Sequence, residues 1–202
     1  FSEEERWDLL NFLHANSRGY QSRIITPRIL PEQPFMATPN FSYTAHDGSS
    51  GTLKDFRGKQ NLLLVLFSWP ESRVRLDQLR TASTAITTTG TAILAVPMTD
   101  LPPDELTSIA RGMPFPVITQ GGREISRSYA LFRRTLSIPD LFGEGTRQSH
   151  MEFLFDRFGY LRARWIPHGD GPSWTDMSLL TQQITRLNQE REILPPPGDH
   201  VH

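Results

Sequence analysis

The 202-residue chain contains no cysteine. It therefore has no disulfide framework, no thiolate zinc site, no Cys-x-x-Cys-His haem motif and no cysteine nucleophile. Long apolar runs are also missing, since the longest, residues 62–67, is far too short to span a bilayer. Charge of one sign is not in excess either, with 21 basic and 22 acidic residues. That balance removes the electrostatic argument for a nucleic-acid partner.

What is present is typical of a soluble globular protein, with 37% apolar and 21% charged residues. The first residue is Phe1 rather than Met, and no signal peptide is visible. We therefore interpret the chain as a processed product or as a piece of something longer.

Three segments flank or form the predicted domain. Residues 1–18 predict an amphipathic helix, because Trp7, Leu10 and Leu13 share one face at helical spacing. Residues 19–38 contain several prolines without a period, which indicates a linker or a wrapping arm. Residues 39–190 form the domain, and residues 191–202 a tail that we expect to be flexible.

Within the domain, strand patterns alternate with helix patterns. The predicted elements, in order, are a hairpin over 40–53, buried strands at 61–69 and 91–97, helices at 70–90, 103–111 and 124–132, a second hairpin over 151–166, and a final helix capped by Ser173 or Asp176. This order predicts an α/β fold in which helices cover both faces of a central mixed β-sheet.

The same order resembles the thioredoxin fold, in its peroxiredoxin-like and cytochrome-biogenesis branch. The resemblance runs from Pro39 to about Leu187. The stretches that carry it are Pro-Asn-Phe-x-Tyr at 39–43, Leu-Leu-Leu-Val-Leu-Phe-Ser-Trp at 62–69, Phe-Pro-Val-Ile-Thr at 115–119 and Glu-Phe-Leu-Phe-Asp-Arg-Phe-Gly-Tyr at 152–160.

The departures from that family decide the expected activity. Such proteins place Cys-x-x-Cys at the strand-to-helix junction, where the helix start helps to generate the thiolate. Here the matching positions are Trp69, Pro70, Glu71 and Ser72. Ser72 has no nearby base that the sequence makes evident. The cis-proline position of the family matches His150. We therefore expect no catalytic residue and no thiol-disulfide or peroxidase activity.

Residues 1–18 also resemble the C-terminal helix of a class I cytochrome c. The chain as a whole is similar to the C-terminal part of copper-resistance protein D-like fusion proteins. That resemblance implies haem c in an upstream domain, membrane domains in the same chain and a periplasmic location, with no cofactor in these 202 residues. The apolar face of the first helix is expected to pack on the domain or on a second copy, giving a homodimer.

Three functional hypotheses remain open. The first is a redox-inactive interaction module. The second is a copper-binding module in which His150 and Met151 act with Met98 or Met113, because copper accepts imidazole and thioether ligands. Against it stands a His150 that is merely packed or hydrogen-bonded where the proline would be. The third hypothesis is an enzyme with non-thiol chemistry in the groove.

Two further clusters have simpler interpretations. His168, Asp170 and Ser173 contain the residue types of a catalytic triad, but they are so close in sequence that a turn is favoured. Arg162 and Arg164 fall on one face of a predicted strand. We expect that face to be solvated, with an anion or the acidic groups of a partner as the alternative.

Overall fold

The computed structural model describes residues 17, 21–29, 36–134, 148–167 and 175–190. The predicted tail 191–202 lies outside the described residues, and so does the predicted helix over 1–18 apart from Ser17. The same holds for the cluster of His168, Asp170 and Ser173.

The described residues form strands and helices in nearly the predicted order. The strands are β1 (Met36–Ala37), β2 (Ser42–Ala45), β3 (Ser50–Thr52), β4 (Asn61–Phe67), β5 (Thr91–Pro97), β6 (Ile118–Gln120), β7 (His150–Phe155) and β8 (Tyr160–Trp165). The α-helices are α1 (Arg73–Thr88), α2 (Pro103–Arg111), α3 (Gly122–Ala130) and α4 (Met177–Gln189). Short 3-10 helices lie at Ser22–Ile24, Leu53–Phe56 and Leu131–Arg133.

A five-stranded sheet of order β1-β8-β7-β4-β5 forms the centre of the described fold. Strand β4 runs parallel to β5 and antiparallel to β7, so the sheet is mixed. Every residue of β4 is buried, as its continuous apolar sequence predicts. A smaller sheet of order β3-β2-β6 contains the predicted first hairpin. The predicted α/β class with a central mixed sheet is confirmed.

Each face of the central sheet has its own apolar core. Alternate residues of β4 divide between them, because successive side chains of a strand point to opposite faces. Leu63 and Val65 join residues of α1, α2 and α4 on one side, whereas Leu64 and Leu66 join Tyr129 of α3 on the other. Helices therefore cover both faces, which completes the predicted architecture.

Residues 21–29 and 36–38 pack on the rest of the described fold. Strand β1 pairs with β8, and Ile25 and Ile29 are buried. The backbone N–H of Ile29 donates to Oε1 of Gln183 in α4 over 2.7 Å. Residues 21–29 thus wrap onto the sheet and the last helix, as an arm would.

The expectation of a solvated face at Arg162 and Arg164 is wrong. The two side chains are 8% and 2% exposed. Arg164 donates to the carbonyl oxygen of Ile25 over 2.9 Å, and Arg162 donates to carboxylate oxygens of Asp156 and Glu190 over 3.1 and 2.6 Å. Both guanidinium groups hold separate segments of the chain together, because buried charges require such partners.

The final helix is capped by Asp176, one of its two predicted caps. Its Oδ1 accepts hydrogen bonds from the backbone N–H groups of Ser178 and Leu179 over 2.9 and 3.2 Å. Helix α1 begins at Arg73, three residues after the predicted start at Pro70. Those residues form the turn that becomes the candidate site.

Candidate functional site

The turn Ser68–Ser72 connects the central strand β4 to helix α1. Two backbone hydrogen bonds close it, from the N–H of Ser72 to Ser68 O over 2.9 Å and from the N–H of Arg73 to Pro70 O over 3.0 Å. The Trp69–Pro70 peptide bond is cis. The Trp69 side chain packs against the core on the α1 side, whereas Pro70 and Glu71 are exposed.

Ser72 is the last residue of this turn and is almost fully buried, with 1% exposure. Its hydroxyl accepts a hydrogen bond from the N–H of Ser68 over 3.2 Å and donates one to Ser149 O over 3.0 Å. Its Oγ also lies 3.0 Å from Nδ1 of His150. The hydroxyl therefore ties the turn to the residues that begin β7.

His150 continues the chain of polar contacts into the core. It begins β7 opposite Phe67, and its Nε2 lies 2.8 Å from Oε1 of Glu152. The carboxylate of Glu152 in turn accepts two hydrogen bonds from Arg75 of α1, from Nε over 2.6 Å and from Nη2 over 2.8 Å. All three of these side chains are at most 1% exposed.

We call Ser72, Arg75, His150 and Glu152 the buried polar chain. Its arrangement follows from two spacings. His150 and Glu152 are two apart in a strand and so point to one face, and Ser72 and Arg75 are three apart at the start of a helix. The buried polar chain thus fastens α1 to β7.

Within the buried polar chain, Arg75 and His150 change the pKa of Glu152. Burial alone would raise the pKa of Glu152, but Arg75, together with the imidazole of His150, outweighs that effect. The pKa of Glu152 consequently falls from 4.5 to about 2. A bidentate arginine pair of this kind is the geometry that best compensates a buried carboxylate.

The sequence indicated no base near Ser72, and that expectation is wrong. Ser72, His150 and Glu152 follow one another in the order of a serine hydrolase triad. Catalysis of that type needs an accessible hydroxyl whose proton passes to the imidazole. Ser72 is 1% exposed, and its hydroxyl proton is directed at Ser149 O. The arrangement therefore performs the work of a structural fastener.

The residues named for a copper site are not brought together. His150 points toward α1, whereas Met151 belongs to the opposite core with Tyr129. Met98 packs on the same side as Met151, and Met113 on the side of α1. Within the described ranges, no group of three or more His, Asp or Glu side chains is placed to hold a metal ion.

Arg75 and Glu152 were missed by the sequence reasoning. Both interrupt otherwise apolar patterns, Glu152 in a strand of buried residues and Arg75 next to Leu76 on the inner side of α1. A charged residue on a buried face requires a partner of opposite charge. That rule could have paired the two residues without a structure.

Comparison with solved structures identifies the class of fold. The chain is similar to BsSco, a member of the Sco family of cytochrome c oxidase assembly proteins, with 13% identity, a TM-score of 0.56, and 81% of this chain and 99% of that one covered. It is similar to the thioredoxin domain of a thiol-disulfide oxidoreductase from Bacteroides vulgatus, with 13% identity, a TM-score of 0.53, and coverage of 75% and 99%. It is also similar to peroxiredoxin Q from Xanthomonas campestris, with 14% identity and a TM-score of 0.54. That match covers 73% of this chain and 91% of the other.

These likenesses show a thioredoxin-like fold. No family model matches the chain, and no curated protein matches it. The compared redox proteins are related to it in architecture, and this chain has no cysteine. In the part of the chain that the structure describes, no helix has both the length and the apolar character needed to cross a membrane.

Proposed function

We propose that this chain is a redox-inactive, thioredoxin-like interaction module. The observation that carries the proposal is the buried polar chain. At the strand-to-helix turn, Ser72 is held on three sides and joined through His150 to a buried ion pair. A thiol exchange site needs an accessible, activated sulfur at such a turn. Here the hydroxyl of Ser72 is held by hydrogen bonds, and the chain has no cysteine thiol to react.

The wider context is part of the same proposal. The resemblance of residues 1–18 to a cytochrome c helix supports a periplasmic module of a cytochrome-containing membrane protein linked to copper handling or electron transfer. Its partners are then the upstream cytochrome and membrane domains, with self-association through the first helix. Sequencing the complete gene tests this context, and we expect a haem-attachment motif upstream of Phe1.

The copper-binding alternative lacks a supporting arrangement. Both ring nitrogens of His150 lie within hydrogen-bond distance of other side chains, and Met151 points to the opposite face of the sheet. A copper ion would have to break the contact with Ser72 or with Glu152 before it could bind the imidazole. Copper titration of wild type and His150→Ala should therefore give the same affinity.

Serine chemistry is the alternative that the geometry makes worth excluding directly. We would incubate the protein with a fluorophosphonate probe and with p-nitrophenyl acetate, and we would compare wild type with Ser72→Ala. The matched control is Ser83→Ala, which alters another buried serine of α1. We expect no adduct on Ser72 and equal, background hydrolysis in all three proteins, because the hydroxyl is enclosed.

The opposite result is equally clear. An adduct mapped to Ser72 that disappears in His150→Ala would show that the triad is active. The chain would then be an enzyme, and the proposal of a purely binding role would fail.

A further inference from the structure

A cavity of about 830 Å³ lies beside α3, and none of the four residues of the buried polar chain lines it. It opens beside the carboxyl ends of the parallel strands β4 and β5, where Ser68 and Met98 line it. Open α/β sheets commonly bind ligands at this edge. The volume falls within the roughly 300–1,000 Å³ usual for small-molecule sites.

One wall of the cavity is basic. Helix α3 contributes Arg123 and Arg127, which are one turn apart and share a face, and Arg133 follows on the same side. Asp100 and Glu124 also line the cavity, so cationic side chains exceed anionic ones by one. The wall therefore favours an anion over a cation.

The arginines of this wall differ in how they are used. Arg123 forms an ion pair with Asp100 across the gap between α3 and the segment after β5. Arg133 donates to Ala130 O over 3.0 Å. Arg127 is exposed and, within the described residues, makes no ion pair, so it is the cation most available to a ligand.

Part of the cavity lining is apolar and adaptable. Met98, Met151, Leu106 and Ile118 contribute to it. Thioether side chains are flexible and polarisable, so they fit apolar groups of varied shape. A ligand that matches both parts carries an anionic head for Arg127 and an apolar body for the methionines.

We propose that this cavity binds a small organic carboxylate with an apolar chain. The carboxylate lies against Arg127, where a guanidinium offers a charge-assisted hydrogen bond, and the chain lies over Met98 and Met151. This site goes beyond the proposed interaction role, and it stands or falls independently of that role. It uses none of the four residues of the buried polar chain.

The test follows the methionine methyl groups by NMR during titration with sodium decanoate. The chain has five methionines, and Met36, Met113 and Met177 do not line the cavity, so they serve as internal references. We expect the Met98 and Met151 signals to shift with saturation while the other three stay in place. Unchanged reference signals also show that each variant is folded.

Charge dependence is tested by one variant and one matched control. Arg127→Gln should weaken decanoate binding about tenfold or more, because a hydrogen bond to a charged group is lost. Arg111→Gln removes an exposed arginine of α2 outside the cavity and should leave the affinity unchanged. Decanol and decylammonium should bind wild type about tenfold more weakly than decanoate does.

Several results would overturn the proposal. If decanol bound as tightly as decanoate, the carboxylate would not contribute to binding. If Arg127→Gln and Arg111→Gln weakened decanoate binding equally, the ligand would not bind specifically at this cavity. Saturating shifts with a short acidic peptide but none with decanoate would assign the cavity to a protein partner instead. Shifts spread over all five methionines would indicate non-specific association.

Discussion

The two faces of strand β7 are both buried, but one makes polar contacts and the other makes apolar contacts. On one face, His150 and Glu152 join Ser72 and Arg75 in a chain of charges and hydrogen bonds. On the other face, Phe153 and Phe155 pack around Tyr129, with ring centroids 5.3 and 6.2 Å away.

The two faces of β7 should therefore differ in how well they tolerate substitution. Apolar packing tolerates exchanges of similar volume, because it depends on area and shape. A buried polar chain depends on each member, since the loss of one leaves a desolvated charge or donor behind. The specific face is the one that contacts α1 and the turn before it.

The largest difference is expected between Glu152→Gln and Met151→Leu, which alter adjacent residues on opposite faces. Glu152→Gln leaves the buried guanidinium of Arg75 without its carboxylate and should cost about 3–5 kcal/mol of unfolding free energy. Met151→Leu conserves volume and should cost less than about 1.5 kcal/mol. Urea unfolding followed by circular dichroism measures both values. Similar costs would erase the distinction between the faces.

The second-largest effect is expected in the pH dependence of stability, to which Glu152 on the polar face contributes. Because the pKa of Glu152 is lowered from 4.5 to about 2, its ionised form stabilises the folded chain fully above pH 4.5. That contribution, on the order of 3 kcal/mol, should be lost as the pH falls from 4.5 toward 2.

Other carboxylates also contribute to the loss of stability in acid, including Asp47, Asp55 and Asp176, whose pKa values are lowered by their hydrogen bonds. The informative quantity is therefore wild type minus Glu152→Gln, measured at matched pH. A difference that stays constant from pH 6 to 2.5 would contradict the assignment.

A smaller effect is expected from the hydroxyl at the end of the polar chain. Ser72→Ala removes contacts with Ser68, Ser149 and His150 and should cost about 1–3 kcal/mol. Ser178→Ala is the control, because its exposed hydroxyl donates to Asp176, two residues before it, and its loss should cost less than about 0.5 kcal/mol. Thermal unfolding compares the two, and equal losses would mean that Ser72 is not a fastening residue.

Much of the fold could be predicted from the sequence. The apolar runs at 61–67 and 91–97 and the pattern at 103–111 are local signals, and they give β4, β5 and α2 within a few residues. The turn chemistry of residues 46–49 likewise gives the β2–β3 hairpin. Such features depend only on neighbours in the chain.

Only part of the candidate site could be predicted, because its residues come from distant parts of the sequence. The missing cysteine identified the turn at 69–72, but the partner of Ser72 is 78 residues away in the chain. Whether a histidine there binds metal, packs or bonds a hydroxyl depends on which face of β7 it occupies, and a one-residue change of register would reverse that face. Long-range strand register is not encoded locally in a single sequence.

The proposal of a redox-inactive module depends on the turn before α1, where Ser72, His150, Glu152 and Arg75 form the buried polar chain. Its most direct test restores the thiols with Trp69→Cys and Ser72→Cys together, using Ser72→Cys alone as the control. The helix start favours a thiolate at this place, and the two positions have the Cys-x-x-Cys spacing.

The measurement is mass spectrometry of the folded double variant in a glutathione redox buffer. We expect an intramolecular disulfide between positions 69 and 72 that wild type and the single variant lack. A folded double variant that keeps both thiols free in oxidised glutathione would contradict it, because the turn would then not have the geometry of a redox site.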